Sequence, residues 1–84
     1  MTDTILKQNA GRGGAVIVTN GTPPAGNYCA MQWVTSGTIT TPLNDPLLDG
    51  TQTGITYPAL LRIDTPIIGG TGVITGTAIF YRAL

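Results

Sequence analysis

The sequence predicts an all-β fold, a small β-sandwich or barrel of six or seven short strands that follow an extended amino-terminal arm. Three observations support this fold class. The β-branched residues Thr, Val and Ile are abundant, whereas the chain has no Glu and one Lys, so strand formers outweigh helix formers. Twelve glycines and six prolines divide the sequence into short segments. No helical periodicity of useful length is present, and short strands about 8–12 residues apart are typical of sandwiches and barrels.

Residues 1–14 are expected to form a flexible arm, and residues 15–84 a single β domain. The arm contains two of the four basic residues, Lys7 and Arg12, and glycines surround Arg12. Its apolar pair, Ile5 and Leu6, could pack into a groove on a partner protein. Such a segment is flexible alone and can be ordered by a neighbour. A simple frayed terminus is the alternative that the sequence leaves open.

The first two predicted strands cover residues 15–19 and 27–34. Asn20 and Gly21 normally signal a hairpin, but two prolines follow directly, so residues 20–26 are expected to form a longer loop. Residues 27–34 give the clearest strand because both of its faces can be assigned from alternation. One face carries Tyr28, Ala30, Gln32 and Val34, and the other carries Cys29, Met31 and Trp33.

The second half of the chain predicts shorter strands separated by turns. Extended structure is expected at residues 38–41, 54–57 and 60–63, and residues 42–53 are rich in turn formers. Residues 73–81 form the last predicted strand, which is broken at Gly76. A glycine inside a strand indicates a bulge or a close approach of another backbone segment.

Charged residues are scarce, and their scarcity points to an assembly. They make up 10% of the chain, whereas a soluble protein typically has about 25%. Residues 13–44 and 65–81 contain none of them. We therefore expect much of the surface to be covered by other protein, as an oligomer. The net charge of zero argues against nucleic-acid binding, which depends on clustered Lys and Arg. No signal peptide or membrane span is expected.

The residue inventory also argues against catalysis and against a bound cofactor. The chain has no His, one Cys and one Ser, so the usual acid–base and metal-ligand sets cannot be assembled. Asp45 and Asp49 could form an acid–base pair or, with Asn44, bind Ca²⁺. These residues lie beside Pro and Gly, however, where turns require such side chains, and the turn interpretation is favoured. Cys29 is expected to be a small core residue.

Four residues are assigned to an oligomer interface: Trp33, Arg62, Asp64 and Tyr81. Trp33 is expected to be buried, either in the subunit core or in the contact between subunits. With the tyrosines it could instead form a sugar-stacking platform. Arg62 and Asp64 are two positions apart and therefore share a strand face, where they could pair across a subunit boundary or form an ordinary exposed ion pair.

Two stretches of the sequence resemble small all-β virion proteins of tailed bacteriophages. The first is Gly26-Asn27-Tyr28-Cys29-Ala30-Met31-Gln32. The second is Tyr57-Pro58-Ala59 followed by Thr75-Gly76-Thr77-Ala78-Ile79-Phe80-Tyr81. In that pattern a Gly follows the Pro-Ala pair and an Ala precedes the final Tyr. Leu60 and Phe80 stand at those two positions here.

The resemblance implies a capsid decoration (cement) protein, which is usually a trimer and has an arm that reaches the shell. Its partner would be the major capsid protein, bound by Ile5 and Leu6 as an apolar anchor and by Lys7 and Arg12 on acidic surface. The protein would be made in the host cytoplasm and located on the capsid surface. A head-fibre or tail component and a carbohydrate-binding module are the alternatives.

Overall fold

A computed structural model describes residues 14–45 and 52–83, which contain eight β-strands and no helix. The all-β fold class is therefore confirmed. The strands are β1 (Ala15–Thr19), β2 (Asn27–Trp33), β3 (Gly37–Thr41), β4 (Thr56–Tyr57), β5 (Arg62–Ile63), β6 (Ile67–Ile68), β7 (Val73–Thr75) and β8 (Thr77–Arg82).

The strands form two antiparallel sheets that enclose one core. The larger sheet has the order β1-β8-β2-β5, and β6 also pairs with β2; the smaller sheet has the order β4-β3-β7. Side chains from both sheets meet between them, with Phe80 and Met31 from the larger sheet and Ile39 and Ile74 from the smaller one. The remaining buried members of this core are Val18, Tyr28, Trp33, Leu43, Ile67 and Ala78.

The strand count exceeds the six or seven expected because of β6. Its two residues, Ile67 and Ile68, lie between Pro66 and Gly69 and are too short for side-chain alternation to reveal them. The predicted break at Gly76 is confirmed, and there the chain passes from the smaller sheet to the larger one. Gly76 has a φ of 106°. A Cβ at this position would lie 2.9 Å from the Ser36 carbonyl oxygen, so the predicted close approach is also present.

A β-bulge in β2 corrects the predicted assignment of its faces. The register with β8 pairs Tyr28 with Arg82 and Ala30 with Tyr81, which leaves Cys29 without an opposite residue. The extra residue shifts the alternation by one position. As a result Tyr28, expected on the face opposite Met31 and Trp33, belongs to the same buried core as they do.

Candidate functional site

The candidate site is the outward face of the larger sheet. One cross-strand row of this face runs through Ile17, Ile79, Gln32 and Arg62, which the strand register places opposite one another. These side chains point outward because their neighbours along the strands, such as Val18 and Ala78, are buried. Ile17, at the edge of the sheet, is 68% exposed.

Four side chains on this face form a connected group, which we call the outer-face cluster: Gln32, Arg62, Asp64 and Tyr81. Arg62 Nε lies 2.9 Å from Asp64 Oδ1, and the Arg62 guanidinium carbon lies 4.9 Å from the centroid of the Tyr81 ring. The Tyr81 hydroxyl lies 3.4 Å from Gln32 Oε1. Gln32 Nε2 in turn donates to the Leu60 carbonyl at 3.3 Å. The cluster therefore joins β2, β5 and β8.

Three of the four residues assigned to an interface from the sequence belong to this cluster. Gln32 was not assigned to the interface, although side-chain alternation placed it on the face of its strand opposite to Met31 and Trp33. Arg62 and Asp64 pair within the chain, and their side chains are 36% and 71% exposed. An exposed pair of this kind contributes at most about 1 kcal/mol to stability. Its contribution to folding is small, and both groups remain accessible to a partner.

Trp33 does not belong to this face, which corrects its assignment to an oligomer interface. Its side chain is fully buried within the chain, so it has no surface to offer a second subunit or a sugar. The expected burial of Trp33 is confirmed, and the residue lies in the core of the single chain. The indole stacks on the Tyr57 ring at a centroid distance of 5.2 Å and an interplanar angle of 9°. Its Nε1 has no hydrogen-bond partner among the described residues.

Asp45 and Gln52, from the segment rich in turn formers, are buried polar residues whose side chains form hydrogen bonds within the chain. Asp45 accepts a hydrogen bond from Thr65 Oγ1 at 3.0 Å. Gln52 donates to the Leu43 carbonyl at 2.9 Å and accepts from the Leu43 N–H at 2.8 Å. Beside them, Met31, Ile63 and Ile67 line a cavity of about 20 Å³, which has room for about one water molecule. Asp49 lies outside the described residues.

The described ranges contain no group of three or more His, Cys, Asp or Glu residues that could hold a metal ion. Cys29 is half-buried, and its Sγ lies 3.6 Å from the Tyr81 carbonyl oxygen. The four residues assigned to capsid binding, Ile5, Leu6, Lys7 and Arg12, lie outside the described residues. Within the described ranges, no helix has the length and hydropathy needed to cross a lipid bilayer.

Charge is almost missing from the described surface. Of the charged residues in the described ranges, Asp45 is buried and Arg82 is half-buried, with its guanidinium 5.6 Å from the Tyr28 ring centroid. Only Arg62 and Asp64 are exposed, and they pair with each other. Six large apolar side chains are also exposed: Ile17, Val34, Ile55, Leu60, Leu61 and Ile68.

Comparisons of the whole chain with protein-family models, with curated proteins and with solved structures each gave no match.

Proposed function

We propose that the chain is a structural protein of a bacteriophage virion that decorates and stabilises the capsid as a symmetric oligomer, a trimer. The observation that carries this proposal is the charge-poor described surface, on which six large apolar side chains accompany a single exposed ion pair. Isolated soluble domains keep about 25–35% of their surface residues charged. Coverage of this surface by neighbouring protein accounts for the difference.

The outer-face cluster provides the subunit contact in this proposal. Arg and Tyr are enriched at the centres of protein interfaces. Here the Arg62 guanidinium lies over the Tyr81 ring, and the apolar Ile79 is two positions from Tyr81 along β8. Arg62 and Asp64 are both accessible, so each can pair with its opposite on a neighbouring subunit. Three copies around an axis would repeat this contact three times.

Attachment to the capsid is assigned to residues 2–13, on the basis of the resemblance and their residue types. An extended segment can add a strand to an exposed sheet edge of a partner. Three arms on one trimer raise the overall strength of binding, since the second and third contacts form at high effective concentration.

Co-sedimentation with capsids tests the proposed role. Undecorated heads of the phage that encodes the protein are mixed with the purified chain and pelleted, and light scattering gives the mass of the unbound protein. We expect a trimer that pellets with the heads at saturable stoichiometry. A chain lacking residues 2–13 should keep its oligomeric mass and melting temperature but lose most of its binding.

Two results would contradict the proposal. The arm's role fails if the shortened chain still saturates the heads or no longer folds. The decoration role fails if the intact chain stays in the supernatant. A monomer that binds glycans would favour the carbohydrate-binding alternative. With Trp33 and Tyr28 buried, Tyr57 and Tyr81 are the partly accessible aromatic side chains that such binding would use.

A further inference from the structure

The edge of the larger sheet at β1 carries a row of backbone groups that point away from the sheet. Arg82 N–H donates to the Gly14 carbonyl at 2.9 Å, and Asn20 N–H donates to the Gly76 carbonyl at 3.0 Å. In an antiparallel ladder, residues alternate between facing the partner and facing away. Because Gly14 and Asn20 face β8, the N–H and C=O groups of Ala15, Ile17 and Thr19 face outward. No described strand pairs with them.

The other edge strands are short or covered. β5 has two residues and carries the charge of Arg62, and β4 also has two residues. Loop segments cover the edges of β6 and β7. Ile68 N–H of β6 donates to the Asn44 carbonyl, and Ile74 N–H of β7 donates to the Gly21 carbonyl.

β1, in contrast, has five residues with no charge and no proline. Natural proteins usually protect a free edge with charge, proline, a bulge or a short strand. None of these devices is present in β1, and its pairing with β8 is regular over all five residues. Such an edge suits pairing with another strand.

The sequence of β1 identifies the strand that fits this edge. Ala15-Val16-Ile17-Val18-Thr19 is nearly symmetric about its centre, with a small residue, Val, Ile, Val and a small residue in turn. Antiparallel pairing with an identical strand about Ile17 places Ile17 opposite its own copy. The same register places Val16 opposite Val18 and Ala15 opposite Thr19, so inward residues meet inward residues.

We propose that β1 pairs with β1 of a second copy, antiparallel and about a two-fold axis at Ile17, to join two larger sheets into one. The outward groups of Ala15, Ile17 and Thr19 on both copies would form roughly six backbone hydrogen bonds. The two Ile17 side chains, each 68% exposed in the single chain, would become cross-strand neighbours. This contact goes beyond the proposed function, because it needs neither a capsid nor the outer-face cluster.

Disulfide trapping tests both the pairing and its register. Single cysteines replace Ala15, Ile17 or Thr19 in a chain that carries Cys29→Ala, and the proteins are oxidised in a glutathione buffer. Opposite residues in a hydrogen-bonded antiparallel pair have Cα atoms about 5.5 Å apart, which a disulfide can span. Residues four positions away along the strand are about 13 Å apart, which is too far.

The expected pattern is specific to this register. Ile17→Cys alone forms a disulfide-linked dimer. Ala15→Cys alone and Thr19→Cys alone remain uncrosslinked, whereas a mixture of the two crosslinks. Efficient crosslinking of Thr19→Cys with itself would overturn the register, since it indicates parallel pairing or random collision. Absence of any crosslink would overturn the pairing itself.

A charge placed on the edge gives an independent measurement. Ile17→Lys should halve the oligomeric mass measured by light scattering, while Thr41→Lys, at an exposed residue of β3 in the smaller sheet, should leave it unchanged. An unchanged mass for Ile17→Lys overturns the proposal. Both possible halvings support the β1 pairing. If a hexamer becomes a trimer, the trimer of the proposed function is also supported. If a dimer becomes a monomer, the trimer of the proposed function is contradicted. Circular dichroism verifies that both variants are folded.

Discussion

Leu60 is an exposed leucine in a backbone conformation that favours glycine. Its φ is 70° and its side chain is 72% exposed. The backbone is held on both sides, since Leu60 N–H donates to the Trp33 carbonyl at 2.7 Å and Gln32 Nε2 donates to the Leu60 carbonyl. This conformation costs an L-residue roughly 1–2 kcal/mol. Replacing Leu60 with Gly removes that cost and keeps both hydrogen bonds.

The gain is offset by two smaller losses. First, glycine raises the conformational entropy of the unfolded chain, which costs about 0.4–1 kcal/mol. Second, full burial of a leucine side chain contributes about 1.5–3 kcal/mol, and the substitution loses about a quarter of this because Leu60 is 72% exposed. Leu60→Gly should therefore change the free energy of unfolding by no more than about 0.5 kcal/mol from these opposing terms. Leu61 supplies the matched control, because it is 38% exposed and has no positive φ to relieve. Leu61→Gly should cost about 2 kcal/mol from lost burial and added entropy.

Urea unfolding followed by circular dichroism measures both variants at one fixed protein concentration. The expected gap between the two glycine variants is about 2 kcal/mol, or roughly 8–16 °C in melting temperature for a domain of this size. If Leu60→Gly destabilises the protein as much as Leu61→Gly does, the left-handed conformation at Leu60 carries no cost and the reasoning is refuted.

Three further predictions concern the core and its buried polar groups. Trp33→Ala should lower the free energy of unfolding in urea by about 3–5 kcal/mol. Trp33→Phe should lower it far less, because Phe can still stack on Tyr57 and the substitution removes an N–H without a described partner. Equal losses for the two variants would contradict this prediction. Burial raises the pKa of Tyr57 above its ordinary value of 10.0, so the folded state favours the neutral phenol. The resulting stabilisation is present below pH 10.0 and is lost as the pH rises through the folded-state pKa; Tyr57→Phe should show a shallower loss in alkaline unfolding, and an unchanged slope would refute it. Gln52→Ala should cost about 2 kcal/mol or more in thermal unfolding, because the buried Leu43 N–H and carbonyl lose their partner; a neutral effect would show that water replaces the amide.

Side-chain alternation and turn residues were sufficient to predict the fold class and most strands. β1 was predicted with its observed boundaries, and the break at Gly76 follows from the missing Cβ. The predicted faces of β2 are correct for Met31, Gln32 and Trp33 but wrong for Tyr28, because the bulge at Cys29 depends on pairing with β8, which is distant in sequence. β6 was missed because two residues give no periodicity.

The candidate site was predictable only in part. Arg62 and Asp64 could be placed on one face because they are two positions apart on a strand. The position of Tyr81 beside them depends on which strands become neighbours, and this is decided by tertiary packing. Trp33 was expected to be buried, but sequence alone leaves open whether a core or a partner buries it.

The position of β8 between β1 and β2 has a consequence for how the protein is made on the ribosome. Thr19 and its partner Thr77 are 58 positions apart, and β8 is the last of the described strands to be synthesised. Because translation proceeds at about 5–20 residues per second, β8 is synthesised roughly 3–12 s after β1. During that interval an uncharged apolar segment is without its native partner. Neighbouring nascent chains on one messenger RNA present the same segment, so slow translation between β1 and β8 should favour premature association.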